Sequence, residues 1–418
     1  MDLGLSEGLP DGCGEVASPD HLTQDLQWTF CNSTSPQQNL SANGSDHGDH
    51  WTRGDYLLHH LGPRTWSFFT PACGIYLGIF VVGFIGNALT CFVIAKHKVM
   101  RTPTNYYLFS LAVSDLMVLA IGMPLEVYEM WRNYPFLFGQ AGCYFKTFLF
   151  ETVCFASVLN VTALSVERYI AVLHPLKAKY IVTRTHARRV IIALWALSCI
   201  LAVPNTSLHG IHYLKTRSGE LMLESALCVL LRPLWLYNLV IQTTTLVFYL
   251  LPMVTLSALH LLIGLQLRRE GAFSQSELES GAGSYQIARK HEEKLKNRQI
   301  TKMLFVLVIV FGVCWAPFHT DRLLWVQIAY WNGQMLTLYQ CVHVVSGVFF
   351  YLSSAVNPVL YNLLSTRFRE MFKEVMCGRQ SPRYKPACCS ASTTRATAQS
   401  TALEYTSCNG IPMLHIDD

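Results

Sequence analysis

Charge is scarce in this chain. Asp, Glu, Lys and Arg make up 14% of its 418 residues, while 51% are hydrophobic. An average soluble domain carries about 25% charged residues, so this chain has too few to cover a water-facing surface. The net charge of +5 includes no basic stretch outside the loops, which excludes a nucleic-acid partner. The start lacks a basic segment followed by an apolar one, so no cleavable signal peptide is expected and a first spanning helix would serve as an uncleaved signal. Paired internal repeats of the kind transporters show are also missing. No metal cluster or nucleophile–base pair stands in a water-accessible stretch, so the sequence supports no enzyme reading.

What the chain does have is long apolar runs. A bilayer core of about 30 Å needs roughly 20 apolar residues in a helix. Ile75–Ala95 meets that length without a charge, and six further segments follow: about Tyr106–Glu126, Cys143–Leu173, Arg189–Pro204, Leu234–Leu267, Thr301–Leu324 and Met335–Leu364. The expected fold is therefore an all-α membrane bundle of seven helices over residues 71–376. Lys and Arg crowd the loops on one side: Lys96, Lys98 and Arg101, then Lys177, Lys179, Arg184, Arg188 and Arg189, then the third loop from Arg268 to Lys302. The opposite loops hold few, so the N-terminus is read as outside and the C-terminus as cytosolic.

Residues 1–70 hold nine acids against Arg53 and Arg64, and are expected to be an unstructured outer segment. Asn32, Asn39 and Asn43 each open an Asn-x-Ser/Thr triplet and are candidate glycosylation acceptors, although such triplets also arise by chance. The triplet at Asn160 falls inside the third span and should stay unmodified. Asn205 lies too near the membrane to decide.

Polar groups inside the spans need a reason, because a mid-membrane charge costs about 2.5–3.5 kcal/mol on insertion scales. Asp115 falls near the middle of the second span, with Ser157, Ser353 and Asn357 as polar candidates around it. A carboxylate among hydroxyls and an amide suits a small cation such as sodium; it would equally serve as a polar network joining helices. Glu167-Arg168-Tyr169 closes the third span, 25 residues after Cys143. At 1.5 Å per residue that is about 37 Å, a full crossing. Asn357-Pro358-Val359-Leu360-Tyr361 and Cys314-Trp315-Ala316-Pro317 place proline kinks in the seventh and sixth spans. Two kinks beside polar groups fit a bundle that changes shape.

In this order, these motifs resemble those of the rhodopsin-like G-protein-coupled receptors. Gly86-Asn87, Asp115, Glu167-Arg168-Tyr169, Trp195, Pro252, Trp315 with Pro317, and Asn357 to Tyr361 carry the likeness, which covers about residues 70–375. The resemblance implies a sixth span that swings outward on agonist binding, with Arg168 and Tyr169 then facing the G protein. It also implies a disulfide between Cys143 and Cys228 that ties the third span to the second outer loop; a pairing of Cys13 with Cys31 stays open. The seventh span has no lysine of the kind a retinal-binding opsin needs. The chain departs from the family at His260, where many members have tyrosine, and at Asn297, where some have an acid.

The aspartate with which amine receptors hold their ligand is Phe150 here, which argues against an amine. Glu151 follows it within an apolar run. Phe318, His319 and Arg322 share one face of the sixth span, so Glu151 and Arg322 are placed to form a buried ion pair. Glu126 and Glu129 lie one turn apart at the outer end of the second span, either as a solvated rim or as an acidic mouth for a basic peptide. Long stretches, among them Met100–Gly139, Cys143–Pro175, Thr301–Leu324 and His343–Leu364, look like the neuromedin U receptors. That likeness implies an amidated peptide ligand, neuromedin U or neuromedin S, held by Glu126, Glu129, Phe150, Glu151, Phe318, His319, Arg322 and His343. It further implies coupling to Gq/11 and calcium, with Gi open, and no cofactor beyond an allosteric sodium ion. A receptor for another peptide of the ghrelin, motilin and neurotensin cluster is the alternative.

After the seventh span, Thr366–Met376 reads as a short amphipathic helix, with Cys377 at its end as a palmitoylation candidate ahead of Cys388 and Cys389. The remaining tail, residues 377–418, is rich in Ser and Thr. That composition suits phosphorylation and arrestin, and equally a plain disordered tail.

Overall fold

The structure, a computed structural model, describes residues 52–216, 219–279, 285–328 and 333–377, together with two dipeptide strands at 407–408 and 411–412. The glycosylation candidates Asn32, Asn39 and Asn43, and Cys13, Cys31, Cys388 and Cys389, lie outside the described residues.

Among the described residues, seven helices are long and apolar enough to cross a membrane: Phe69–Lys96, Pro103–Trp131, Gly139–Leu173, Arg184–Thr206, Leu234–Arg269, Thr301–Gln327 and Thr337–Leu363. Each agrees with one expected segment. Local chemistry explains where several of them start. Thr102 caps the second span by accepting a hydrogen bond from the Asn105 amide, with Pro103 in the first turn where its missing N–H costs nothing. Thr183 caps the fourth by accepting from the His186 amide.

Two of the spans are locally unwound. Val118–Gly122 and Leu246–Leu250 form π turns, and each ends two residues before a proline, Pro124 and Pro252. A proline has no amide to donate and its ring presses on the preceding turn, so the helix widens there. Pro204, Pro317 and Pro358 lie inside helices as well.

The third span is the hub. Of its apolar window 67% is buried within the protein, against 17% for the fourth, which therefore faces mostly lipid. One apolar core, around Trp315, Phe318, Phe350 and Tyr351, fills the half of the bundle nearer the N-terminus; a second, around Leu164, Leu304, Tyr361 and Phe368, fills the other half. Between them the helices are stitched by Asn87, which donates to the Gly83 and Ser354 carbonyls, both at 2.9 Å, and by the Trp195 indole, which donates to Ser110 at 2.9 Å.

At the end of the bundle that carries the N-terminus, here called the mouth, two strands pair antiparallel: β1 (His209–His212) and β2 (Leu227–Leu230). Cys228 of β2 is disulfide-bonded to Cys143 of the third span, with Cα atoms 5.5 Å apart. The pairing implied by resemblance is therefore present. One expectation needs correction. Residues 1–70 read as unstructured, yet Arg53–Leu61 is a helix, opened by a reciprocal cap between Thr52 and Asp55. Two apolar residues four apart, Leu57 and Leu61, find a buried surface there, which composition could not reveal.

At the opposite end, Pro175–Ile181 forms a short helix after the third span, and Thr366–Cys377 forms the expected amphipathic helix. Phe368 of that helix is buried against Tyr361, ring centroids 5.7 Å apart.

Candidate ligand pocket and relay residues

Glu151 sits on the third span, 1% exposed, in an otherwise apolar stretch. A bare carboxylate at such a place would be severely destabilising. It is compensated from two sides. Arg322 of the sixth span forms an ion pair with Oε1, and Asn205 at the end of the fourth donates to the same oxygen at 2.8 Å. Its Oε2 has no partner. The expected pair therefore forms. Asn205, left undecided as a glycosylation acceptor, is 2% exposed and engaged with Glu151, so it is closed to a glycan. The Arg322 guanidinium also lies 5.0 Å from the Phe318 ring centre, a cation–π contact.

Phe150, Phe318 and Phe350 pack around one another, with Phe150 5.7 Å from Phe318 and 5.0 Å from Phe350. Trp315 lies beneath, 5.7 Å from Phe318 and 5.6 Å from Phe350. These rings form a floor that joins the third, sixth and seventh spans. His319 is buried beside them: its Nδ1 is 3.2 Å from the Thr245 hydroxyl, and its ring stacks on Tyr249 at 4.8 Å.

Both outer carboxylates are half-buried and partnered. Glu126 turns into the bundle, where Tyr76 of the first span donates to it at 2.9 Å and Tyr351 of the seventh at 2.6 Å. Gly347 makes room for this cluster, since a Cβ there would run into the Tyr76 hydroxyl. Glu129 is held in an ion pair by Lys146 of the third span. A second acid–base pair stands across the mouth, His343 Nδ1 at 3.0 Å from Asp321 Oδ2. Asp321 was missed from sequence, as were Tyr76, Tyr351, Lys146 and Asn205. Tyrosine and asparagine in an apolar helix carry little signal until a partner faces them. Asp321, next to Arg322, and Lys146, inside the third span, are charges in apolar helices and could have been found.

Deeper in the bundle, Asp115 accepts from the Asn357 amide at 2.8 Å. Ser157 shares a hydrogen bond with Ser114 at 3.0 Å, and Ser353 donates to the Phe350 carbonyl at 2.6 Å. Of the three residues expected around Asp115, Asn357 alone is bonded to it directly, but all four line one cavity with Ser354, whose remaining walls are apolar, among them Leu111, Val153, Phe311 and Trp315. Nearer the far end, Arg168 pairs with its neighbour Glu167 at 2.9 Å. Tyr169 packs edge-on against His174, centroids 5.9 Å apart. Pro358 touches the first span at Gly86, where a Cβ would meet it at 2.8 Å. Tyr361 is fully buried, its hydroxyl unpartnered. His260 turns its Nδ1 to the Leu256 carbonyl at 2.8 Å and leaves Nε2 unpaired.

Seven spans, a third-span disulfide, an Arg168 pair toward one end and an aromatic floor beside a buried Glu151–Arg322 pair toward the other define a class of membrane receptor. The chain belongs to the seven-transmembrane receptors of the rhodopsin family, whose profile matches residues 86–361. It is thus a multi-pass protein of the plasma membrane and a receptor, not an enzyme. Within the family it is 56% identical to human Neuromedin-U receptor 1 over 349 residues, covering 82% of each chain. It is 53% identical to human Neuromedin-U receptor 2 over 322 residues, 77% of this chain and 75% of that one. Rat Neurotensin receptor type 1 is more distant, 35% identical over 316 residues, 71% of this chain and 73% of that one.

Proposed function

We propose that this chain is a receptor for neuromedin U and neuromedin S, with its mouth and N-terminus outside the cell, signalling through Gq/11, phospholipase C and calcium. The observation that carries the reading is Glu151. A buried carboxylate with one unpaired oxygen stands beside an aromatic floor, in a chain similar to receptors named for a peptide. Orientation rests on the Lys and Arg of the loops at the Arg168 end, and a disulfide at the mouth suits the oxidising side.

In this reading the amidated end of the peptide enters over the aromatic floor. A peptide guanidinium or amide meets Glu151, while Glu126 and Glu129 receive a basic side chain of the peptide, displacing hydrogen bonds from Tyr76 and Tyr351 and the Lys146 ammonium. Phe318, His319, Arg322 and His343 line the opposite wall. Pressure on Phe318 and Phe350 passes to Trp315 and to the kink at Pro317. The sixth span then moves outward, Arg168 leaves Glu167, and the G protein is engaged. Asp115, Ser157, Ser353 and Asn357 have the donor set for an allosteric sodium ion, whose charge would hold the resting arrangement. Cys377 is the proposed palmitoylation site. Gi coupling and arrestin binding belong to the same proposal.

The test is intracellular calcium in cells expressing the full chain. A saturable response to amidated neuromedin U, lost with the free-acid peptide, is expected. Silence with confirmed surface expression would overturn the Gq/11 reading and turn the search to Gi coupling or to another peptide of the ghrelin, motilin and neurotensin cluster.

A further inference from the structure

The N-terminal segment does not end at the first span; it runs across the mouth. Leu57 and Leu61 of the helix Arg53–Leu61 are 2% and 4% exposed and form one apolar cluster with Tyr134 and Met222, which come from two different loops. Polar bonds fasten the same junction: Tyr56 donates to the Lys215 carbonyl at 3.2 Å and Tyr134 to the Gly62 carbonyl at 2.9 Å. The strap that follows is then laced to the end of the second span. The Asn133 amide donates to the Arg64 carbonyl, the Thr65 hydroxyl to the Trp131 carbonyl, and the Trp66 amide to the Met130 carbonyl, at 2.8, 2.9 and 3.0 Å. Trp66 ends the course 5.6 Å from His343 on the seventh span and against the upper core.

These contacts form a band from the β1–β2 loop to the seventh span. A free tail has no reason to bury two leucines and to satisfy backbone groups on two loops. We infer that residues 52–68 are a clasp, which pins the loop between β1 and β2 over the mouth and sets how long a bound peptide stays. Exchange of the peptide requires the clasp to open. Its lifetime on the receptor is then governed by the docking of Leu57 and Leu61, which touch no pocket residue named above. The part concerning a peptide rests on the proposed function; the pinning of the loop does not.

The test compares two variants of the full chain. L57D/L61D places carboxylates in the apolar cluster, while L58D places one on the exposed face, where Leu58 is 53% exposed. Hydrogen exchange of the purified receptor without ligand reads the clasp itself. Amides of residues 53–61 and 221–227 are expected to be protected in the parent chain and in L58D, and to lose protection in L57D/L61D. Dissociation of labelled amidated neuromedin U is expected to quicken at least tenfold in L57D/L61D and to stay unchanged in L58D. Should L57D/L61D fail to reach the surface, Y56F, which removes the bond to Lys215, should quicken dissociation at least twofold. Absent protection in the parent chain, or protection of residues 221–227 unaffected by detaching the helix, would overturn the clasp. Fast exchange in L57D/L61D with an unaltered dissociation rate would overturn its role in ligand lifetime. If the parent chain binds no neuromedin U, the ligand assignment fails, and the exchange data still decide the clasp.

Discussion

Glu151 and Arg322 meet in a place where each alone would be costly. Removing one partner of a buried pair strands the other charge, typically at about 3–5 kcal/mol, while the pair together contributes little net stability. The pair is therefore better understood as shaping the pocket than as holding the bundle. Glu151→Gln is expected to weaken peptide potency at least tenfold, about 1.4 kcal/mol, with surface expression retained. Arg322→Ala should behave similarly, and the double variant should fall short of the summed effects because both changes break one interaction. Strictly additive losses would show that the two act independently. Sequence reasoning reached this pair because both residues are charges in apolar helices. It did not reach Asn205, which shares Glu151 Oε1, because an asparagine at a helix end has many ordinary explanations.

Among the elements, the β1–β2 hairpin decides the shape of the mouth. Its disulfide to Cys143 limits how far the hairpin can move from the third span. Cys228→Ser is expected to abolish peptide binding or surface delivery, checked by labelled-peptide binding on intact cells; normal binding would show the bond to be dispensable. The hairpin also carries histidines that resist protonation. Burial holds His209 below the ordinary histidine range; Arg322 and Lys146 add to this, while the Asn205 carbonyl and Glu151 oppose it. His212 is lowered by burial and by Lys215. In the unfolded chain both would titrate near about 6.5. As pH falls below that value, the unfolded state gains protons that the folded hairpin refuses, so stability falls. The melting temperature of the purified receptor should drop between about pH 7.5 and about pH 5.5, and an H209N/H212N variant should show a shallower drop. An equal slope in that variant would place the sensitivity elsewhere. The hairpin was legible only as an outer loop, since four-residue strands have no periodicity to detect.

For the whole molecule, all seven spans were legible, as were the family motifs at Asp115, Arg168, Trp315 and Asn357. Insertion into a bilayer depends on a property each segment has by itself, a run of about 20 apolar residues, and on the charge of the loops beside it. The kinks followed for the same reason, because proline acts on its own helix. What tertiary structure alone decided is which polar groups face one another. Glu126 takes its partners from Tyr76, 50 residues away, and from Tyr351, 225 away. Glu151 meets Arg322 at a separation of 171. The rotation and depth of each helix are set by packing against several neighbours at once, and no single segment contains that information. The docking of Leu57 and Leu61 is the same case in the outer segment: the surface that buries them exists only after the loops carrying Tyr134 and Met222 have been brought together.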